Sequence, residues 1–223
     1  PDASQLIRSL RGLLAPGGYL VVEVPDSERI LSSGNHAFIW EEHISYFTAI
    51  SLRRLAEIVG AELTWLGRYR YPYEDSLIAV LRFGGVVSAI TSQPTAVAVA
   101  SSSVVNFAAS LHRARTRWRE KIENYRARGE TVGLFGAGHL AVKFINFLNL
   151  GELIDCVIDD YPQKVGMLMP GSHLPIVRSS EMTARGVTVC LSTLSPESET
   201  RVRRKLTTFL DSGGRFVPAF TAR

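Results

Sequence analysis

The segment Trp40-Glu41-Glu42-His43-Ile44-Ser45-Tyr46-Phe47 gathers titratable and aromatic side chains within eight residues. A histidine titrates near neutrality, and a neighbouring carboxylate raises its basicity and orients its ring. His43 with Glu42 therefore has the makings of a general base. Tyr46, three residues on, has a phenol able to donate a hydrogen bond to a developing oxyanion. A purely structural reading uses the same residues differently: Trp40, Tyr46 and Phe47 in a core, Glu41 and Glu42 in solvent, His43 bonded to backbone. His36, just upstream, and His112 are weaker candidates. No Cys/His cluster has metal-ligand spacing, so no metal is expected.

A second group lies late in the chain. Gly136-Ala-Gly138-His-Leu-Ala141 follows an apolar strand pattern and opens a helical one, the context a phosphate-binding turn requires. Gly136 permits the tight turn, Gly138 lets a ligand approach the backbone, and Ala141 lets the helix pack closely on the strand. The helix amino terminus presents free N–H groups to an anion. Asp159 and Asp160 end the next strand, 23 and 24 residues beyond Gly136, where a carboxylate can take ribose hydroxyls. The turn suits a nicotinamide dinucleotide, another nucleotide or nucleotide-sugar, or a tight strand-to-helix corner without a ligand. The following stretch, Tyr161 to Val177, carries Lys164 and His173 in a loop stiffened by Gly166, Pro170, Gly171 and Pro175. Placed at the carboxyl edge of a parallel sheet, it is a further ligand-binding candidate; it also reads as a surface turn.

The elements that must position these residues follow from periodicity. Residues 1–14 show a helical pattern with Leu6, Leu10, Leu13 and Leu14 on one face. Pro16-Gly17-Gly18 turns the chain into the strand Tyr19–Val24, which Pro25 is expected to stop, and polar loop residues run on to Asn35. Ser51 is positioned to cap a helix bearing Leu52, Leu55, Ile58 and Val59, with Gly60 ending it. ELTWLGRYRY and SLIAVLRF read as two antiparallel strands turning near Pro72. An Ala/Ser/Val-rich connector leads to a charged helix, His112 to Arg128, whose charges are most simply a solvated face. From residue 129 strands and helices alternate: TVGLF, a helix, LIDCVIDD, VTVCLST, a helix over SETRVRRKLTTFLD, and RFVPAF. That order implies a small, largely parallel α/β sheet.

The bulk properties narrow the function classes. The chain has 223 residues, 46% hydrophobic and 21% charged, which is ordinary for a globular protein. A net charge of +4 suits an anionic ligand such as a nucleotide and does not call for nucleic acid. Two scattered cysteines point to a reducing compartment without a disulfide framework, and the expected location is the cytoplasm. The stretch 89–111 contains Pro94 and many serines and is too polar to span a bilayer. The first residue is Pro1 and the chain opens inside a helical pattern, as expected for a fragment or processed product.

Three segments in order, LLAPGGYLVVEVP, IWEEHISYFTAISLRRL, and LFGAGHLAVKFINFLNL with DDYPQKVGMLMPGSHLPIV, resemble the three-part sugar C-methyltransferases that act on nucleotide-linked keto-deoxysugars. The resemblance covers nearly the whole chain. It implies an α/β fold in which a partial class I methyltransferase domain, 1–85, is followed by a connector and helix, 86–128, and a small Rossmann-like parallel-sheet domain, 129–223. It implies S-adenosyl-L-methionine as methyl donor, His43 as general base with Glu42 as its carboxylate neighbour, Tyr46 beside them, and a nucleotide-sugar held by Gly136, Gly138, Asp159, Lys164, Gly171 and His173. The sequence departs from the family pattern at Trp40, where a tyrosine is frequent, and at Tyr73-Glu74-Asp75-Ser76, where a histidine and Gly-Gly-Ser are frequent. The family's zinc cysteines and glycine-rich donor loop precede the part matched here, so weak donor binding is expected of this chain alone. The glycine turn keeps two other readings open: an NAD(P)-dependent oxidoreductase, and a non-catalytic nucleotide-sugar-binding module.

Overall fold

A computed structural model describes residues 2–72, 74–84 and 94–220, and the side chains from 102 onward in the last of these ranges. The chain divides into two compact units. One comprises residues 1–34 and 39–108, the other 35–38 and 109–223.

The first unit is built on a three-stranded antiparallel sheet. Its strands are β1 (Tyr19–Asp26), β2 (Glu62–Arg70) and β3 (Asp75–Arg82), with β3 in the centre. Alternation explains the choice of centre: Leu77, Ala79 and Leu81 of β3 are all but completely buried. Helices α1 (Ala3–Arg11), α2 (Ser27–Ser33) and α3 (Ala49–Ile58) accompany the sheet. Ile7, Leu52, Leu55, Ala56 and Val59 complete its core, each large aliphatic contributing about 1.5–3 kcal/mol.

Several expectations are corrected. Helix α1 buries Ile7, while Leu6 and Leu13 are exposed, so the leucine face is not the one packed. Pro25 does not stop β1; it pairs with Ser76, and the strand runs to Asp26. That is tolerable because β1 is an edge strand, where a missing N–H need cost no ladder bond. The stretch after it is not loop. Asp26 accepts the Glu28 N–H and caps α2, which Gly34 ends at φ +63. Thr48, not Ser51, is the N-cap of α3; Ser51 is its reciprocal partner in a capping box.

Helix α4 (Pro94–Arg126) absorbs both the later part of the Ala/Ser/Val-rich connector and the charged helix read from His112. The second unit then forms a five-stranded, all-parallel sheet in the order β6-β5-β4-β7-β8. Its strands and helices are β4 (Thr131–Phe135), α5 (His139–Leu148), β5 (Cys156–Ile158), β6 (Ile176–Val177), β7 (Val187–Ser192), α6 (Pro196–Arg203), α7 (Thr207–Asp211) and β8 (Arg215–Pro218). This is the Rossmann-like α/β arrangement. Strands β4, β5, β6 and β7 are buried at nearly every residue, as parallel strands with helices on both faces must be, while the edge strand β8 buries only Phe216. Phe135, Ile158, Met182, Cys190, Phe209 and Phe216 pack in one cluster, and Trp118 meets Phe144 of α5 edge-on at 4.9 Å. The last helical pattern is split, with α6 and α7 separated at Arg204–Leu206. The strand β6 is too short for periodicity to reveal. Both cysteines are buried and free. Among the described residues no helix is long and apolar enough to cross a membrane, and no cluster of three or more His, Cys, Asp or Glu has the arrangement of a metal site.

Candidate active site

In the first unit the residues around His43 form a loop pinned at both ends. The Tyr46 hydroxyl accepts the Trp40 N–H at 2.6 Å and donates to the Trp40 carbonyl at 2.8 Å, closing the loop on itself. The Trp40 indole N–H reaches Glu74 at 3.1 Å. At the other end Ser27 N–H donates to the Phe47 carbonyl at 2.8 Å, and Asp26 bridges Phe47 as a single parallel pair. The loop is thereby fixed to the carboxyl end of β1. Burial raises the Tyr46 phenol above its ordinary pKa, with Glu74 and Glu41 acting in the same direction against the bond to Trp40.

His43 lies between two rings, its centroid 6.0 Å from Tyr46 and 6.2 Å from Trp40. Its Nδ1 is buried and has no hydrogen-bond partner. Glu42 is exposed, and no hydrogen bond joins it to His43. The sequence-level pairing of these two neighbours is therefore not made: consecutive residues in this loop point apart. Tyr46 is brought to His43, but its hydroxyl is spent on closing the loop.

Near this loop lies a charged network whose pairings sequence patterns did not show. Asp26, 1% exposed, takes Arg68 Nε at 2.5 Å, and Arg68 also pairs with Glu28. Asp75 pairs with Arg29 at 3.3 Å, and Arg29 also donates to the Tyr71 and Pro72 carbonyls at 2.8 and 2.6 Å. Ser76 donates to Glu23 at 2.8 Å. The sequence signals were Asp26-Ser-Glu28, a helix-start pattern hidden behind Pro25, and the departure from the family pattern at Asp75-Ser76. Tyr73 lies outside the described residues. A largely apolar cavity of about 540 Å³ adjoins the loop, lined by Tyr46, Phe47, Ile30, Ile50 and Leu55, with the partnerless Ser27 hydroxyl among its lining groups.

In the second unit Gly136 has φ +98, and a Cβ there would meet Leu194 at 2.9 Å, so glycine is demanded. Nothing would obstruct a Cβ at Gly138, so the fold alone does not require glycine there. Ala141 is fully buried, giving the close helix-on-strand contact expected of it. Asp159 is largely committed within the fold. Its two oxygens accept the Ala137 and Tyr161 N–H groups, each at 2.9 Å, and Lys164 Nζ stands 3.4 Å away. The carboxylate expected to bind ribose instead fills the turn with its own negative charge.

Gly136, Asp159 and Lys164 are thus brought together, with Gly138 at the start of α5. Gly171 and His173 are not with them. Gly171 packs against Asn146, roughly 12 Å along the α5 axis from Gly138. Their loop doubles back, Leu168 bridging Pro175, and enters β6 from the amino edge of the sheet. The expectation that this whole loop sits at the carboxyl edge holds only for its start near Lys164. His173 is exposed at φ +57, and its N–H donates to the Met169 carbonyl at 2.9 Å.

Residues 85–220, more than half of the chain, match the family described as C-methyltransferase C-terminal domain. The chain belongs to that family. It is also 27% identical over 225 residues to the C-methyltransferase NovU of Streptomyces niveus, an alignment covering 97% of this chain. It spans about half of that relative's length, 53%. The C-methyltransferase C-terminal domain accounts for the Rossmann-like unit and α4. The alignment with NovU extends through the unit bearing His43.

Proposed function

We propose that this chain supplies the acceptor side of an S-adenosylmethionine-dependent C-methyltransferase whose substrate is a nucleotide-linked keto-deoxysugar, with His43 as the general base. The buried, partnerless Nδ1 of His43 carries this reading. A buried nitrogen left without a partner costs about 1–3 kcal/mol, and such a cost is tolerated where a ligand or reaction uses the group. The family membership and the name of the Streptomyces niveus relative support the reaction class.

S-adenosylmethionine, when bound, supplies an electrophilic methyl group. Two acids at the end of β1 are committed within the fold, Glu23 to Ser76 and Asp26 to Arg68. The chain's own contribution concerns the acceptor. Carbon becomes nucleophilic when a proton beside the sugar ketone is removed, and an imidazole with a free ring nitrogen removes it. Trp40 and Tyr46 hold the imidazole on two sides, and the Tyr46–Trp40 closure keeps the loop from collapsing onto it. Glu42 acts through its charge rather than by direct contact. The second unit, read by itself, is a candidate nucleotide-binding module beside its glycine turn.

The test needs no methyl donor. The protein is incubated in deuterated water with a thymidine-diphospho-linked 4-keto-deoxysugar, and exchange of the proton beside the ketone is followed by NMR. The protein is expected to accelerate exchange, and His43→Gln to lower the rate by about 10²- to 10⁴-fold. Equal exchange by His43→Gln and the parent protein would remove His43 from the role of base. The bond from Ala137 N–H to Asp159 supports the nucleotide-sugar reading over an NAD-dependent one, because one turn amide is already taken.

A further inference from the structure

The second unit has a cleft at the carboxyl edge of its parallel sheet, of about 490 Å³. It lies between the ends of β4 and β7, lined by Phe135 and Gly136 on one side and Leu194 on the other. Strand order reverses at that point: β5 and β6 lie to one side of β4, β7 and β8 to the other. Helices leave the two strand ends towards opposite faces, so the crevice is open by construction, and ligands of open α/β sheets bind there.

The charges lining it are unequal in their commitments. Asp159 is bonded to two main-chain N–H groups, and Asp160 accepts Ser179 N–H at 2.8 Å and Ser179 Oγ–H at 2.9 Å. Arg201, in the last turn of α6, and Lys205, in the turn that follows it, also line the cleft. Neither makes an ion pair among the described residues; Arg201 reaches only Ser198 Oγ, at 3.4 Å. Tyr161 lines the cleft with its ring half-exposed. The acids are already hydrogen-bonded, Asp159 to two main-chain N–H groups with Lys164 beside it and Asp160 to Ser179, while the two cations are left for a ligand.

We propose that this cleft binds a nucleoside phosphate, its phosphate resting on Arg201 and Lys205 and its base against Tyr161. The amide that a dinucleotide-binding turn would offer, Ala137 N–H, is already bonded to Asp159. The anion seat has therefore moved across the cleft from the start of α5 to the end of α6 and the turn after it. Arginine suits the role through its forked donors, lysine as a point charge. The proposal narrows the nucleotide-binding part of the proposed function to particular residues, and it stands independently of methyl transfer because binding is read without turnover.

The chain is titrated calorimetrically with thymidine diphosphate, thymidine, inorganic pyrophosphate and thymidine diphosphoglucose. Thymidine diphosphate is expected to bind more tightly than pyrophosphate or thymidine, and more weakly as salt rises. Arg201→Gln and Lys205→Gln are each expected to weaken thymidine diphosphate about five- to tenfold, and the double variant more than either. Tyr161→Ala is expected to remove the advantage of thymidine diphosphate over pyrophosphate. Both cations are exposed, so the variants should melt as the parent does. Binding of both thymidine diphosphate and the diphosphoglucose identifies a substrate-derived ligand; binding of the free nucleotide alone identifies a separate effector. Absence of nucleotide binding, or binding unchanged in the double variant, overturns the proposal. Loss of proton exchange in His43→Gln with normal nucleotide titration leaves it standing.

Discussion

Replacing Tyr46 by phenylalanine separates a clamp from a chemical donor. The hydroxyl makes two bonds to one residue, accepting Trp40 N–H and donating to the Trp40 carbonyl. Each such bond is worth about 0.5–1.5 kcal/mol net, and because the site is only part-buried the lower half of the summed range applies, about 1–2 kcal/mol. The loss falls on loop 40–46 rather than on the sheet, so local opening is the sensitive readout. Protection of the Trp40 amide from hydrogen exchange should drop by about 5- to 30-fold in Tyr46→Phe, with sheet amides of β3 unchanged. Alkaline titration gives a second measure. Burial holds the folded-state phenol above the ordinary value of 10.0, so the folded state binds this proton more tightly than the unfolded one. The resulting stability is complete below pH 10 and is lost as pH rises through the folded pKa. The parent should lose stability above pH 10, and Tyr46→Phe should lose less. Unchanged Trp40 protection, together with a large fall in proton exchange from substrate, would refute the clamp and return Tyr46 to the role of oxyanion donor.

Asp159→Ala leaves two main-chain N–H groups without their acceptor and should cost about 2 kcal/mol, read as a lowered thermal midpoint; an unchanged midpoint would show that the turn does not need its internal anion. Two glycines should behave oppositely. Gly171→Ala forces a side chain into φ +80 and to 2.6 Å from Asn146, an expected loss of about 1–2 kcal/mol by urea denaturation. Gly67→Ala meets only the ring of Trp65, which is 45% exposed and free to swing, so a change under about 1 kcal/mol is expected. Cys156 and Cys190 have thiols raised above 9.0 by burial, Cys190 the more strongly. Both should resist iodoacetamide at pH 8 in the folded protein and react once it is unfolded. The folded state holds these protons more tightly, so their contribution to stability is complete below pH 9 and declines above it.

The parallel sheet was legible in the sequence because its central strands are buried on both faces and read as short apolar runs bounded by turn residues. Val132–Phe135 and Val189–Leu191 are examples. The edge of the first unit was less legible. Pro25 ordinarily ends a strand, and only the knowledge that β1 lies at the edge of its sheet, a tertiary fact, permits it to continue. Leu6 and Leu13 show the same limit in a helix: periodicity identifies a possible apolar face, but which face meets a partner depends on the partner. The strand β6, at two residues, is shorter than any pattern that periodicity resolves.

The candidate sites divide along the same line. Residue types and spacing located the turn at Gly136 and the loop at His43, because both depend on local chain geometry. They did not foretell the partners of the side chains. A glycine turn after a strand specifies a corner where an anion is welcome, and an aspartate at the end of the next strand is equally able to hold a ribose or to be that anion. Which of these it does turns on whether the carboxylate reaches the Ala137 N–H, a matter of one rotamer and 2.9 Å. Once it does, the cations across the cleft lose their nearest competitor for a phosphate. The likeness to a dinucleotide fold and the displacement of its anion seat then have one cause. An Asp159→Asn variant, which drops the charge and can keep the Ala137 bond only by giving up the one from Tyr161, should strengthen pyrophosphate binding at Arg201 and Lys205 two- to fivefold. Weakened binding would mean that Asp159 serves the ligand directly, and that the seat had never left the turn.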